Sequence, residues 1–306
     1  MKKRTLTVIV LILTLFLGGC AAEKGRELID RSGRTVVIKG AINRIVSTAP
    51  SNTEIITDLG QAHKLVAIDR HSANVTGIPD GLPLLDFFYP DAEAIINLEP
   101  DIIIASGHNP TGTGEDPFRL LREMGIPVAY IPMSKSIDAI YEDIAFIAEL
   151  LQAGKEGKAL ISAMLAQIVG IQLEIMQNVS QDVINKRTVY FEISTAPDMM
   201  SFGKDSFIDD MISTICAVNI FGNEDWLVMP SAEAIITRNP DVILTSVNYI
   251  NDPIGEIKSR PGFNHINAVK NNRIYQIDND SSMRPSPRIV LALRQMADAV
   301  YMGQYE

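Results

Sequence analysis

Short apolar runs and helix-spaced stripes alternate along this chain, and they do so twice. In the first half the runs are "RIVST" from Arg44, "KLVAID" from Lys64, "DIIIAS" from Asp101 and "PVAYI" from Pro127. In the second half they are "TVYFEIS" from Thr188, "DVILTS" from Asp241 and "RIYQID" from Arg273. Each is brief, rich in β-branched residues and bounded by turn formers, as buried parallel strands are. Between them, "SNTEIITDLG" and "DPFRLLREMG" read as helices that stop at Gly60 and Gly125, a common C-terminal signal. The alternation predicts an α/β fold with mainly parallel sheets flanked by helices. Its recurrence predicts two similar lobes with a ligand cleft between them.

The middle of the chain is helical in pattern. "SIDAIYEDIAFIAELLQ" places apolar residues at 137, 140, 144, 147, 148 and 151, the spacing of one helix face. A second helical stretch of about 25 residues follows Ala153-Gly154, and at roughly 1.5 Å per residue it reaches nearly 40 Å. That is long enough to join two lobes. The expected division is an N-terminal lobe over 28–153, a connecting helix over 154–180 and a C-terminal lobe over 181–306.

One line is written twice. "PDAEAIINLEPDIIIAS" (Pro90–Ser106) returns as "PSAEAIITRNPDVILTS" (Pro230–Ser246), with ten of seventeen positions identical. In each copy a proline stops what precedes. Asp91 or Ser231 can cap a helix that begins Ala-Glu-Ala. Pro100 or Pro240 ends it, and a buried strand follows. The unit is helix, tight turn, strand.

The ends and totals narrow the class. The chain has 306 residues and a formal charge of −10. "MKKRTLTVIVLILTLFLGGC" carries three cations, an apolar run too short to span a bilayer comfortably, and two glycines before Cys20. This is the layout of a secretory leader over 1–19. The small residues before Cys20, with Leu17 three positions ahead, resemble a bacterial lipobox. Cys20 is then the lipidation site at the head of a tether over 20–27, and the protein is extracytoplasmic and lipid-anchored to the membrane. No second stretch is expected to cross a membrane. Such an acidic chain is a poor nucleic-acid binder. Cys216, the other cysteine, sits among apolar residues and reads as buried and inert.

Ligands of open α/β sheets gather beyond the carboxyl ends of the strands. Those ends supply Thr48, Ala49, Pro50, Arg70, His71, Ser106, Gly107, His108 and Met133 from the first lobe. Ser194, Thr195, Asn248, Tyr249, Met283 and Arg284 come from the second. Arg70 and Arg284, if both face the cleft, suit an anionic or oxygen-rich ligand.

The ordered set of lipobox, "RIVSTAPSNTEIITDLG", "AEAIINLEPDIIIAS", long helix, "SFGKDSFIDDMI" and "SAEAIITRNPDVILTS" resembles a known family. It is similar to the helical-backbone (class III) substrate-binding lipoproteins of ABC importers for iron complexes and cobalamin, over about Glu27 to Tyr301. The resemblance implies two lobes joined by a long helix, and a permease dimer with its ATPase as partner. It implies that Glu93 and Glu233 dock on arginines of a two-fold symmetric permease. A first-turn glutamate also complements a helix dipole, and both roles can hold together. In the family, aromatics ahead of the docking helices often contact ligand. Here these are Tyr89, with Phe87 and Phe88, and Trp226, the single tryptophan.

A ferric siderophore-type Fe(III) complex is the expected cargo, with no resident cofactor. Cobalamin would ask for more aromatic surface, and haem for an axial ligand such as His71, His108, Tyr89, Tyr249 or Met283. A bare Zn or Mn receptor is a distant alternative, since four histidines are present and no histidine-rich loop. An enzyme is disfavoured: "SGHNPTGTGEDP" lacks the lysine of a phosphate loop, and neither G-x-S-x-G nor H-E-x-x-H occurs.

Overall fold

The computed structural model describes residues 25–86, 88, 91–107 and 116–301. The leader, Cys20, Phe87, Tyr89 and His108 lie outside the described residues. The chain opens on an antiparallel hairpin of β1 (Arg26–Ile29) and β2 (Thr35–Ile38). The first lobe then runs β3 (Ile45–Ser47), α1 (Pro50–Asp58), β4 (Leu65–Asp69), β5 (Leu84–Leu85), α2 (Ala92–Asn97), β6 (Ile102–Ser106), α3 (Arg119–Glu123), β7 (Val128–Ile131). Its sheet is parallel throughout, in the order β5-β4-β3-β6-β7. Helices α4 (Ile137–Leu150) and α5 (Gly154–Asn178) follow. The second lobe holds β8 (Thr188–Glu192), β9 (Ser201–Phe202), α6 (Phe207–Thr214), β10 (Val218–Asn219), β11 (Leu227–Val228), α7 (Ala232–Arg238), β12 (Val242–Thr245), α8 (Pro253–Ser259), α9 (Asn267–Lys270), β13 (Ile274–Gln276), α10 (Asn279–Met283) and α11 (Ile289–Tyr301). Its parallel sheet has the order β10-β8-β12-β13, and β9 and β11 form a small antiparallel ribbon.

The written repeat is a repeat in space, down to single atoms. Asp91 accepts the amides of Glu93 and Ala94, and Ser231 accepts that of Ala234. Ile95 and Ile235 are fully buried beneath the two helices. Glu99 and Asn239 both reverse the chain in the left-handed region, at φ 45° and 46°. Asp101 Oδ2 then accepts the amides of Asn43 and Arg44 at 2.7 and 2.9 Å. Asp241 Oδ2 accepts the amide and hydroxyl of Thr188 at 3.0 and 2.9 Å. Each aspartate thus pins the start of the strand beside its own, β3 or β8.

Strand alternation sorts the core into layers. Ile102 and Ile104 of β6 face an inner core, while Ile103 and Ala105 face an outer one. Likewise Val242 and Leu244 of β12 point inward and Ile243 outward. The inner core is continuous across both lobes, through Ile144 and Ile147 of α4, Ile168, Ile171 and Ile175 of α5, and Leu293 and Met296 of α11. The amide of Ile137 at the head of α4 also donates to Asp210 of α6 at 2.7 Å. Opening the lobes widely would shear this close-packed seam.

Helix α5 corrects one expectation. The sequence pattern suggests no second stretch able to cross a membrane, yet by length and composition α5 could do so. In this structure Met164, Ile168, Ile171 and Ile175 are buried at helical spacing, so one face of α5 packs on the inner core. Its opposite face leaves Leu165, Val169, Leu173 and Met176 exposed.

Candidate functional site

The carboxyl ends of the two parallel sheets supply the facing walls of a cleft. In the first lobe a buried relay shapes its floor. Asp69 closes β4 and accepts the amide of His71 at 2.8 Å and the hydroxyl of Ser72. Ser72 Oγ meets Thr53 Oγ1 at 2.9 Å, which donates to Ser47 Oγ at 2.8 Å. Burial pushes the Asp69 carboxyl above its ordinary value, against the hydrogen bonds it accepts. The relay fixes the short turn that presents Arg70 and His71. Gly107 is required where β6 ends against β7, because a Cβ there would stand 2.9 Å from the Met133 nitrogen.

Arg284, after α10, crosses from the second lobe to the first. Its Nη1 donates to Glu54 Oε1 of α1 at 2.8 Å. Its Nη2 reaches the His71 carbonyl at 3.0 Å, Asn74 Oδ1 at 2.9 Å and Asp280 Oδ1 at 2.7 Å. Ser286 Oγ also donates to Glu54, and Asn74 Nδ2 to Asp280. The Arg284 side chain is 11% exposed and that of Glu54 2%. This is a clasp between lobes, with its positive charge committed to two carboxylates. Arg70 is ion-paired as well, to Asp86 at 2.9 Å, although that pair is well exposed. Both arginines do face the cleft, and each already holds a carboxylate partner there. Nothing local in the sequence marks Glu54 and Asp86 as their partners.

Two cavities flank the clasp. One of about 450 Å³ is lined by Arg70, His71, Ala73, Asn74, Asn248, Asn279, Asp280 and Arg284. A smaller one of about 140 Å³ is lined by Ala49, Pro50, Ser51, His71, Met283, Arg284 and Pro285. The structure thus brings Pro50, Arg70, His71, Asn248, Met283 and Arg284 together from both lobes. Asn74, Asn279 and Asp280 join them, and sequence reasoning missed all three.

Tyr249 and Trp226 border neither cavity. Tyr249 is exposed on the loop from β12 to α8, and its hydroxyl accepts the Thr195 amide at 3.0 Å beside Ser194 Oγ at 3.3 Å. Partial burial would raise the phenol, but these donors outweigh it and hold Tyr249 below its ordinary value. Trp226 leads into β11 at φ 22°, tilted against Phe202 with ring centres 6.1 Å apart, and it is partly exposed. Leu227, Met229, Phe88 and Met133 are exposed apolar side chains. Phe88 and Met133 follow the ends of β5 and β7. Among the described residues no group of three or more His, Cys, Asp and Glu could hold a metal ion.

Glu93 and Glu233 stand apart from clasp and cavities, each exposed in the first turn of its helix. The Glu233 carboxylate accepts its own amide and the Ser231 hydroxyl, which keep it below its ordinary value.

Two parallel-sheet lobes that share one helical seam and face each other across a cleft have the architecture of a solute-binding protein. The chain belongs to the periplasmic binding protein family, whose model matches residues 45–281. It is 29% identical, over the whole of both chains, to the ABC transporter substrate-binding lipoprotein YvrC of Bacillus subtilis (strain 168). It is 26% identical to the vitamin B12-binding protein of Vibrio campbellii, covering 85% of this chain and 90% of the relative. Among solved structures, a "possible" iron-binding (periplasmic solute-binding) protein of Staphylococcus epidermidis superposes with a TM-score of 0.75 at 32% identity. That match covers 86% of this chain and 100% of the other. The protein is thus a substrate-binding protein of ABC transport, not an enzyme. Such proteins work with a permease and an ATPase.

Proposed function

We propose that this protein is a lipid-anchored, extracytoplasmic receptor that captures a metal chelate of the corrinoid class and hands it to an ABC permease. The carrying observation is the commitment of both cleft arginines to carboxylates, which leaves little free positive charge for an anion. The exposed apolar and aromatic side chains Trp226, Leu227, Met229, Tyr249, Phe88 and Met133 supply the surface a macrocycle needs. The vitamin B12-binding relatives support the same choice. A ferric siderophore is the second reading. The exposed Arg70–Asp86 pair favours it, because such pairs are worth about 0–1 kcal/mol and exchange readily for a ligand carboxylate.

Calorimetric titration, with Trp226 fluorescence as a second readout, separates the two. Cyanocobalamin should bind at least tenfold more tightly than ferric hydroxamate, ferric catecholate, ferric citrate or haem, a margin of about 1.4 kcal/mol. Arg70→Ala should leave that affinity within about threefold, since an exposed pair contributes so little. A tenfold preference for a ferric siderophore that disappears in Arg70→Ala would transfer the assignment to the second reading.

The anchor rests on Cys20 and the "LFLGGC" that ends there. Cys20→Ala should abolish acylation and release the protein from the membrane fraction. Unacylated parent protein in the soluble fraction, by mass spectrometry, would remove the lipoprotein reading.

A further inference from the structure

Beneath the Tyr249 loop lies a buried ion pair that takes no part in the clasp. Glu192, the last residue of β8, is fully buried, and Arg260, just after α8, is 7% exposed. Arg260 Nη1 donates to Glu192 Oε2 at 2.6 Å and Nη2 to Oε1 at 2.8 Å, a bidentate fork. Glu256 of α8 accepts from Arg260 Nε at 2.9 Å, and the Tyr190 hydroxyl donates to Glu192 Oε2 at 3.2 Å. Burying such charges is a weak route to stability, and well-packed apolar residues often do as well or better. Their placement suggests another role.

The main chain of Glu192 accepts the Ser246 amide at 2.9 Å, at the end of β12. Its carboxylate, through Arg260 and Glu256, holds α8. Glu192 therefore holds the β12 end of the 246–252 loop through its main chain and, through Arg260 at the C-terminus of α8, the helix that follows the loop; that loop carries Asn248 and Tyr249. Two and three residues after Glu192, Ser194 and Thr195 meet the Tyr249 hydroxyl.

We propose that Glu192 and Arg260 are positioning residues that set the Tyr249 hydroxyl against the Thr195 amide and the Ser194 hydroxyl and present it, with Asn248, to a metal chelate. The proposal rests on the cleft assignment above and deepens it. Neither residue touches the ligand; both act through the loop they brace.

The test uses the full mature chain with Arg260→Met, the double variant Glu192→Leu, Arg260→Met, and Tyr249→Phe. The double variant removes the charges together, so folding is retained even where Arg260→Met alone leaves Glu192 buried without its main partner. Two readouts are taken. Ultraviolet difference titration against Tyr249→Phe isolates the Tyr249 phenol, and calorimetry measures cyanocobalamin affinity. In the parent the phenol should ionise below the ordinary value of about 10; in the double variant it should move up toward it as the hydrogen bonds are lost, even though removing the nearby Glu192 charge by itself acts the other way. Cyanocobalamin affinity should fall at least tenfold in the brace variants and in Tyr249→Phe alike. An unmoved phenol in the folded double variant overturns the positioning role. A parent that fails to bind cyanocobalamin overturns the cleft assignment instead, a Tyr249→Phe protein that binds it normally overturns the presentation of Tyr249 to the ligand, and the phenol titration still decides the brace.

Discussion

A chain carrying Glu93→Arg and Glu233→Arg should bind its ligand as the parent does and support almost no uptake by whole cells. The argument starts from duplication. The two helices share their first-turn glutamate, their buried isoleucine and their left-handed exit at φ 45° and 46°. Two equivalent, exposed carboxylates on separate lobes suit a permease with two equivalent halves. Reversing both charges sets like against like across such an interface, where juxtaposed like charges cost several kcal/mol. Each single reversal should be intermediate, and alanine milder than arginine. Folding should be little affected, because an exposed first-turn glutamate contributes only weakly through the helix dipole. If the glutamates served only the dipole, the double variant would lose a little stability and transport normally. Normal uptake by the well-expressed double variant would end the docking proposal.

Arg284→Ala should destabilise the fold by about 3–5 kcal/mol, the usual cost of breaking a buried ion pair. The loss leaves Glu54, with a side chain 2% exposed, facing only Ser286 and the more distant Arg288 at 3.9 Å. It also unties the second lobe from His71 and Asn74. Urea denaturation should show a lower midpoint, and stopped-flow release of bound ligand should be faster, because one flank of the cleft is no longer clasped. Glu54→Leu with Arg284→Met should recover most of the stability, since no buried charge is stranded, yet keep the fast release. Were Arg284 instead a ligand cation, Arg284→Ala would keep its midpoint and lose affinity for anionic chelates alone. That pattern would dismiss the clasp.

Part of the site is legible in the linear pattern of the chain. Short apolar runs mark the strand ends, and those ends name Pro50, Arg70, His71, Asn248, Met283 and Arg284. These six do come together around the two cavities. What they do there is not legible in the same way. The pairing of Arg284 with Glu54 leaves no trace in the sequence, because the partner lies 230 positions away, in a helix whose apolar pattern gives no sign of a buried carboxylate. Trp226 and Tyr249, marked by position in the repeat and by a strand end, border neither cavity and instead present exposed surface.

Neighbours along the chain are enough to set the local grammar. Strand and helix alternation, the caps at Asp91 and Ser231, the stops at Gly60 and Gly125, and the long helix after Gly154 all depend on residues a few positions apart. Backbone sterics and side-chain periodicity act over that range. Three features arise only on folding: the two lobes share one inner core, Arg284 ties α10 to α1, and Arg260 reaches Glu192 across 68 positions. An ion pair or a packed seam is set by distance through space, and a linear pattern of charges does not encode which of many carboxylates folding will bring within 3 Å.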